Sequence, residues 1–180
     1  MKDKLRLLLW PDCGKSCPGC CNKDWDLKTL PIATNLIFYR EIILTGGEPM
    51  LYPELLQRVI GEIIATAIYN PKIYLYTANT KEYDKLINIM SGINGVTVTL
   101  HDDEDVDDFI KLIKEMKKIS EINPFWLDDK SLRLHVFEDV DASAIEGINL
   151  PDVWNVKGHI KWIENCPLPN DEEFKRYWLS

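Results

Sequence analysis

Four of the five cysteines fall within the segment Cys13-Gly14-Lys15-Ser16-Cys17-Pro18-Gly19-Cys20-Cys21, and no other feature of the chain restricts its local fold as much. Cys13, Cys17 and Cys20 follow directly on an apolar run, Leu5 to Trp10. Side chains of a regular strand alternate between faces, so thiolates this close cannot all address one centre from a strand. A loop can wrap them around one. Pro18 and Gly19 suit such a loop, because proline presets φ and glycine lets the backbone turn back or approach a ligand closely.

Three kinds of site use cysteines at such density. A disulfide framework fits poorly, since these cysteines are too close in sequence for good bridge geometry and no secretory context accompanies them. A structural zinc site would draw on Cys13, Cys17, Cys20 and Cys21, although zinc knuckles usually pair two separated Cys-x2-Cys hairpins and no second pair exists here. A [4Fe-4S] cluster held by three thiolates would leave one iron open to another ligand. Spacing alone leaves the zinc and cluster readings both open.

A second segment bears on that choice. Glu41-Ile42-Ile43-Leu44 is a short apolar run that reads as a buried strand. It ends in Thr45-Gly46-Gly47-Glu48-Pro49, and a helical pattern follows from Pro53. A Gly-Gly pair at the C-terminal end of a strand offers backbone N–H and C=O groups to a ligand, and Glu48 adds a fixed carboxylate. Such a site suits a zwitterion. An ordinary strand-to-helix turn would explain the glycines but not Glu48 and Pro49 as well.

Taken together, the two segments resemble the radical S-adenosylmethionine (SAM) superfamily, with its Cys-x3-Cys-x2-Cys loop after the first strand and Gly-Gly-Glu-Pro loop after the second. The resemblance implies that Cys13, Cys17 and Cys20 ligate a [4Fe-4S] cluster and that SAM chelates the fourth iron through its amino and carboxylate groups. Thr45, Gly46, Gly47, Glu48 and Pro49 would hold the methionine end. Gly19 would belong to the SAM-binding loop, at a position where many members carry an aromatic that contacts adenine. The implied reaction is reductive cleavage of SAM to methionine and a 5′-deoxyadenosyl radical, which abstracts hydrogen from a substrate. A flavodoxin- or ferredoxin-like one-electron donor is expected, and no catalytic acid or base is identified. Because the two loops are separate in sequence, a valine at Gly47 is expected to hinder SAM without disturbing the cluster loop.

Within the superfamily, Cys17-Pro18-Gly19-Cys20, Asn22-Lys23, Trp25 and Tyr76-Thr77 are similar to the activating enzymes of anaerobic ribonucleotide reductase. Cys21 stands where those enzymes usually have tyrosine, and their glycine-rich segment before the first cysteine is missing. The first expectation for the substrate is a small molecule or nucleotide. The alternatives are activation of a large glycyl-radical partner, another peptide modification, and a non-enzymatic, metal-stabilised binding module.

The chain reads as one domain of 180 residues with 46% hydrophobic content, enough for a real core. Its net charge of −8 argues against a large nucleic-acid footprint. The apolar stretch behind Lys2, Lys4 and Arg6 is too short for a signal peptide, and no membrane span is expected. Thiolate ligands without a bridging framework point to a cytoplasmic protein.

Strands are expected at Leu5–Trp10, Glu41–Leu44, Lys72–Thr77, Val96–Leu100 and Leu132–Phe137, with a sixth inside Val153–Ile163. Helices are expected from Pro53 (Leu56, Val59, Ile60, Ile63, Ile64 and Ala67 inward), after Thr80 as N-cap, and from the acidic run at Asp102. A short helix at Ala142–Glu146 and a C-terminal helix at Asp171–Trp178 complete the pattern. Strands alternating with helices indicate an α/β fold, a partial parallel (β/α)6 barrel of the radical SAM type. Its first crossover helix is abbreviated across residues 26–40, and residues 140–180 cover the barrel end. In such a barrel functional groups sit at the C-terminal ends of strands. That position selects Thr77 and Asn79 for SAM, then His101 for SAM or substrate, with Glu138 and Asp139 behind them. Cys21 and Cys166 are expected not to bind iron.

Overall fold

Leu5, Leu7 and Leu8 are buried in the first strand, β1 (Lys4–Leu8), which has a parallel neighbour on each side. The computed structural model describes residues 2–23, 25–141, 143–148, 150–163 and 167–178. These divide into two compact units, residues 1–76 with 162–180, and residues 77–161. In the first unit the strand order is β3-β2-β1-β7, where β2 is Glu41–Thr45, β3 is Lys72–Thr77 and β7 is Glu172–Arg176. In the second it is β6-β5-β4, with β4 at Gly95–Leu100, β5 at Ser131–Phe137 and β6 at Trp154–Ile160. The pairs β1–β2, β1–β7, β2–β3, β4–β5 and β5–β6 are all parallel. Strands and helices alternate along the chain, which is the expected α/β class.

Helix α1 (Pro53–Thr66) starts with proline at a permitted position and buries Leu56, Val59, Ile60 and Ile63. Each such side chain stabilises the fold by roughly 1.5–3 kcal/mol relative to exposure. Ile64, expected inward, is 50% exposed, because the buried stripe is narrower than the run of aliphatic residues. In the second unit, α2 (Tyr83–Gly92) buries Leu86, Ile89 and Met90, and α3 (Asp103–Ile122) buries Val106, Phe109, Leu112, Ile113 and Met116. Thr80 is not the N-cap of α2; Glu82 holds that position without a side-chain cap. Asp102 caps α3 by accepting the Asp105 N–H at 3.1 Å, and the buried Asp105 accepts the His101 N–H at 2.8 Å. The short helix α4 spans Ser143–Glu146. Among the described residues, 26–40 form turns and a single β-bridge but no helix, so the first crossover is abbreviated as expected.

The expected C-terminal helix is a strand instead. Glu172-Glu173-Phe174-Lys175-Arg176 lacks apolar alternation, and charged residues of this kind suit a helix as well as a strand. Tertiary contacts decide the matter. β7 pairs with β1 from Lys4↔Glu172 to Leu8↔Arg176. The Arg6 guanidinium meets the largely buried Glu172 carboxylate at 2.9 Å, and Tyr39 donates to Glu173 at 2.7 Å. Lys175 donates to the Tyr39 hydroxyl at 2.8 Å. On the far side of β7 the Arg176 N–H donates to Pro31 O and the Ala33 N–H to Arg176 O, each at 2.9 Å. The helix-poor segment 26–40 thus lies along this strand.

Past β7, the Tyr177 N–H continues the ladder to Leu8 O, and its hydroxyl donates to Glu62. Burial, then the Glu62 carboxylate, push the Tyr177 phenol up to about 12. A folded-state value above the unfolded one means that the contact contributes fully below about pH 10 and is lost as pH rises through about 12. Wild type should therefore hold a constant stability advantage over Tyr177→Phe at pH 7 to 9 and lose it as pH rises from about 10 to about 12. Urea melts of both proteins from pH 7 to 12 check this.

Candidate functional site

Beyond their last paired residues, β1 and β2 do not part. The Leu9 N–H donates to Thr45 O at 2.9 Å, the Gly47 N–H to Trp10 O at 2.8 Å and the Glu48 N–H to Asp12 O at 2.8 Å. This backbone seam carries the chain from β1 to Cys13 alongside the Thr45–Pro49 loop. Side chains reinforce it: the Trp10 indole donates to Glu48 O at 2.9 Å, and the Tyr52 hydroxyl donates to the Asp12 carboxylate at 3.1 Å. The Trp10 and Tyr52 rings meet edge to face at 5.2 Å. From the other end of the cysteine loop, the Asn22 amide donates to Gly46 O at 3.0 Å. Lys23 closes the loop on itself by donating to Cys17 O at 2.8 Å. Trp10, Asp12, Asn22, Lys23 and Tyr52 therefore position the site. Asn22 and Lys23 stood in the motif wording; Lys23 acts within the cysteine loop, whereas the Asn22 contact joins positions distant in the sequence and has no local signature.

The two glycines of the Thr45–Pro49 loop are required by this seam. A Cβ on Gly47 would lie 1.9 Å from Asp12 O, and one on Gly46 would lie 2.6 Å from Trp10 O. The expectation that Gly47→Val would spare the cysteine loop is therefore reversed, because the obstructed backbone is that of the residue before Cys13. The Gly47 and Glu48 N–H groups are engaged by the chain itself, so what the loop can present to a ligand is acceptors rather than these donors. Glu48 is buried, and its carboxylate accepts the Met50 N–H at 2.8 Å, capping the one-turn 3-10 helix Pro49–Leu51. Pro49 occupies the first position of that turn, so both residues have a structural reason as well as the expected ligand role.

Cys13 is exposed, whereas Cys17 and Cys20 are half-buried, and none of the three is in a disulfide. Burial pushes the Cys17 thiol up, and the neighbouring Cys20 and Cys13 add to the shift while Lys15 opposes it. The Cys17 thiol thus senses both other sulfurs. Even so, no three His, Cys, Asp or Glu side chains among the described residues converge as a single metal ion requires. Zinc, at about 2.3 Å from each sulfur, would draw them to within about 4 Å of one another. A four-iron cluster would give each thiolate its own iron and so asks for a wider spacing than a single zinc ion does. Cys166 and the Cys21 side chain lie outside the described residues.

Gly19 is covered by Trp162, whose Cβ lies 2.6 Å from where a Gly19 Cβ would be. The side chain missing from Gly19 is therefore replaced in space by an aromatic from a distant part of the same unit. The remaining expected residues belong to the second unit. Thr77 ends β3 and is buried; its hydroxyl accepts the Asn79 N–H at 3.0 Å, and the Asn79 side chain accepts the Lys81 N–H at 3.1 Å. Both residues thus shape the turn after the strand. His101 directly follows β4, with its ring edge-on to Phe137 at 5.0 Å. Glu138 follows β5 and donates its N–H to Ile160 O at 3.0 Å. His135 lies within β5; burial and then Lys157 and Arg133 hold its imidazole below the usual value.

No protein-family model matches the chain. No solved structure matches it either. It is similar to a curated protein, the GTP 3′,8-cyclase of Microcystis aeruginosa (strain NIES-843 / IAM M-2473), at 25% identity over 207 aligned positions. The match takes in 99% of this chain and 61% of that enzyme, so the chain spans less than two thirds of the relative's length. No helix among the described residues is long and apolar enough to cross a membrane.

The glycine contacts generate a paired test. Gly47→Ala should displace Asp12 and lower both the melting temperature and the iron bound per chain after anaerobic reconstitution. Gly14→Ala, in the same cysteine loop but with nothing within 4 Å of its Cβ, should leave both unchanged. Equal iron content in the two variants would refute the seam's role.

Proposed function

We propose that this chain, a member of the radical SAM superfamily, holds a [4Fe-4S] cluster on Cys13, Cys17 and Cys20 and directs hydrogen abstraction at a small-molecule substrate of the nucleotide class. The observation that carries this reading is the seam from Leu9–Thr45 to Asp12–Glu48, which sets the three-thiolate loop beside the Gly-Gly-Glu-Pro loop. When bound, the cluster supplies one electron and SAM the carbon radical, and the protein's work is to orient them and to exclude water.

Each part of the loop pair has a task in that scheme. Lys23 and Asn22 fix the return of the cysteine loop, so that the three sulfurs keep their separation. The Thr45–Pro49 loop would meet the SAM ammonium with carbonyl lone pairs and the Glu48 carboxylate, since its Gly47 and Glu48 N–H groups are already engaged. Trp162, packed over Gly19, provides an aromatic face where the loop itself has none. Thr77, Asn79 and His101 remain assigned to SAM or substrate by their place at strand ends. A one-electron donor of the flavodoxin or ferredoxin kind completes the system.

The nucleotide class is suggested by the cyclase relative, whose name specifies GTP. The activase-like wording Cys-Pro-Gly-Cys-x-Asn-Lys is accounted for by the contacts of Asn22 and Lys23, and so does not by itself point to a protein partner.

Iron counting after anaerobic reconstitution tests the ligand set. Cys13→Ala, Cys17→Ala and Cys20→Ala should each lose cluster iron, while Cys166→Ala should retain the wild-type amount. Full loading of Cys17→Ala, or loss in Cys166→Ala, would overturn the assignment. In loaded wild type, SAM should perturb the electron paramagnetic resonance spectrum of the reduced cluster. Transfer of deuterium from a labelled guanosine nucleotide into 5′-deoxyadenosine checks the substrate class.

A further inference from the structure

Parallel strands in the second unit end around a cavity of about 530 Å³. That volume lies within the range of roughly 300–1,000 Å³ typical of small-molecule sites. Its walls include Val136 and Phe137 at the end of β5, Val140 and Asp141 just beyond, and Val156 and His159 on β6. The C-terminal ends of parallel strands are where α/β proteins generally bind ligands.

The backbone here is irregular in a way the rest of the β5–β6 pair is not. Pairing runs evenly from Leu132↔Trp154 to His135↔Lys157 and then shifts, so that Phe137 faces Ile160. β6 thus carries one extra residue at the cavity wall, and His159 there has a left-handed φ of 52°. Bulges and left-handed non-glycine residues cost free energy and concentrate where a side chain is re-aimed for function. Phe137, also in the lining, packs against the His101 ring with centroids 5.0 Å apart.

The lining chemistry narrows the occupant. Among the described residues it is mainly aliphatic, and no lysine or arginine contributes to it. The carboxylate among its described residues, Asp141, is fixed in place: it accepts the Ser143 N–H at 3.0 Å, and its own N–H donates to Asp103 at 3.1 Å. The hydrogen bonds from Ser143 hold the Asp141 carboxyl below the usual range, so it is ionised at neutral pH. A carboxylate with no lysine or arginine among the described lining residues disfavours phosphate and carboxylate groups, including the methionine end of SAM. It favours a flat apolar body with adjacent N–H donors along one edge. Guanine has that edge in its N1–H and 2-amino group, which match the two oxygens of a carboxylate. Adenine sets a ring acceptor beside its amino group, and hypoxanthine lacks the 2-amino group.

We propose that this cavity binds a guanine base, with Asp141 accepting from its N1–H and 2-amino edge and the aliphatic walls enclosing the ring. The inference rests on the nucleotide reading above and specifies the base. Calorimetric titration of anaerobic, cluster-loaded protein with guanosine, inosine, adenosine and S-adenosylhomocysteine tests it. Guanosine should bind at least tenfold more tightly than inosine or adenosine, and Asp141→Asn should reduce it to the inosine level. Gly158→Leu should abolish binding while the protein stays folded by circular dichroism, because a Cβ at Gly158 meets nothing within 4 Å. Guanosine binding no tighter than inosine, binding unchanged in both variants, or displacement by S-adenosylhomocysteine would overturn the proposal. Protein that carries iron and responds to SAM but ignores guanosine overturns this inference alone. Protein that takes up neither iron nor SAM overturns the reading beneath it as well.

Discussion

The site in the first unit depends on three backbone hydrogen bonds that continue the β1–β2 association past the strand ends, at Leu9–Thr45, Trp10–Gly47 and Asp12–Glu48. Their consequence is steric as much as energetic. The two segments approach so closely that neither Gly46 nor Gly47 has room for a Cβ. Cys13 follows Asp12 directly, so the position of the cysteine loop is inherited from this contact. Trp10 and Tyr52 then brace the seam by donating to Glu48 O and the Asp12 carboxylate, and the Glu48 carboxylate caps the turn that follows. The glycines therefore serve the ligand indirectly: they let the loop that carries the thiolates rest against the loop that carries Glu48.

The same unit is completed by a strand that has almost no apolar character of its own. β7 is held by Arg6–Glu172 and by the Tyr39–Glu173–Lys175 group, with Tyr177 extending the ladder. Charge pairs of this kind contribute modestly when exposed, but the Glu172 side chain is only 10% exposed, and leaving it without Arg6 would strand a carboxylate in a poorly solvated place. The specificity of the pairing, more than its net energy, accounts for a polar segment adopting a defined register. Because β7 lies next to β1, it also supports the strand from which the cysteine loop departs.

In the second unit the groups with chemical potential lie where the strands end. Thr77 and Asn79 build the turn after β3, His101 follows β4, and the β5–β6 ends frame the cavity. Asp105 illustrates how the acidic run is divided. Most of its carboxylates begin α3 in the ordinary way, near the positive end of the helix dipole. Asp105 instead is buried and holds the His101 backbone. A run that looks uniform in sequence thus contains one residue that fixes the neighbourhood of a candidate ligand contact.

The sequence by itself determined the parallel α/β alternation, the position of the first six strands, the missing first crossover helix and the two loops of the site. All of these are written in local patterns: strand runs, caps, breakers, and cysteine and glycine spacings whose chemistry is short-range. Tertiary structure alone decided that 172–176 is a strand, because its partners, Arg6, Tyr39 and Pro31, come from elsewhere in the chain. It also decided why Gly47 is a glycine, since the obstructing oxygen belongs to Asp12. The aromatic over Gly19 is supplied by Trp162, and Asp141 and His159 reach one cavity only through the β5–β6 pairing. Contacts between residues far apart in the chain leave no local period or spacing, and so only the folded chain records them.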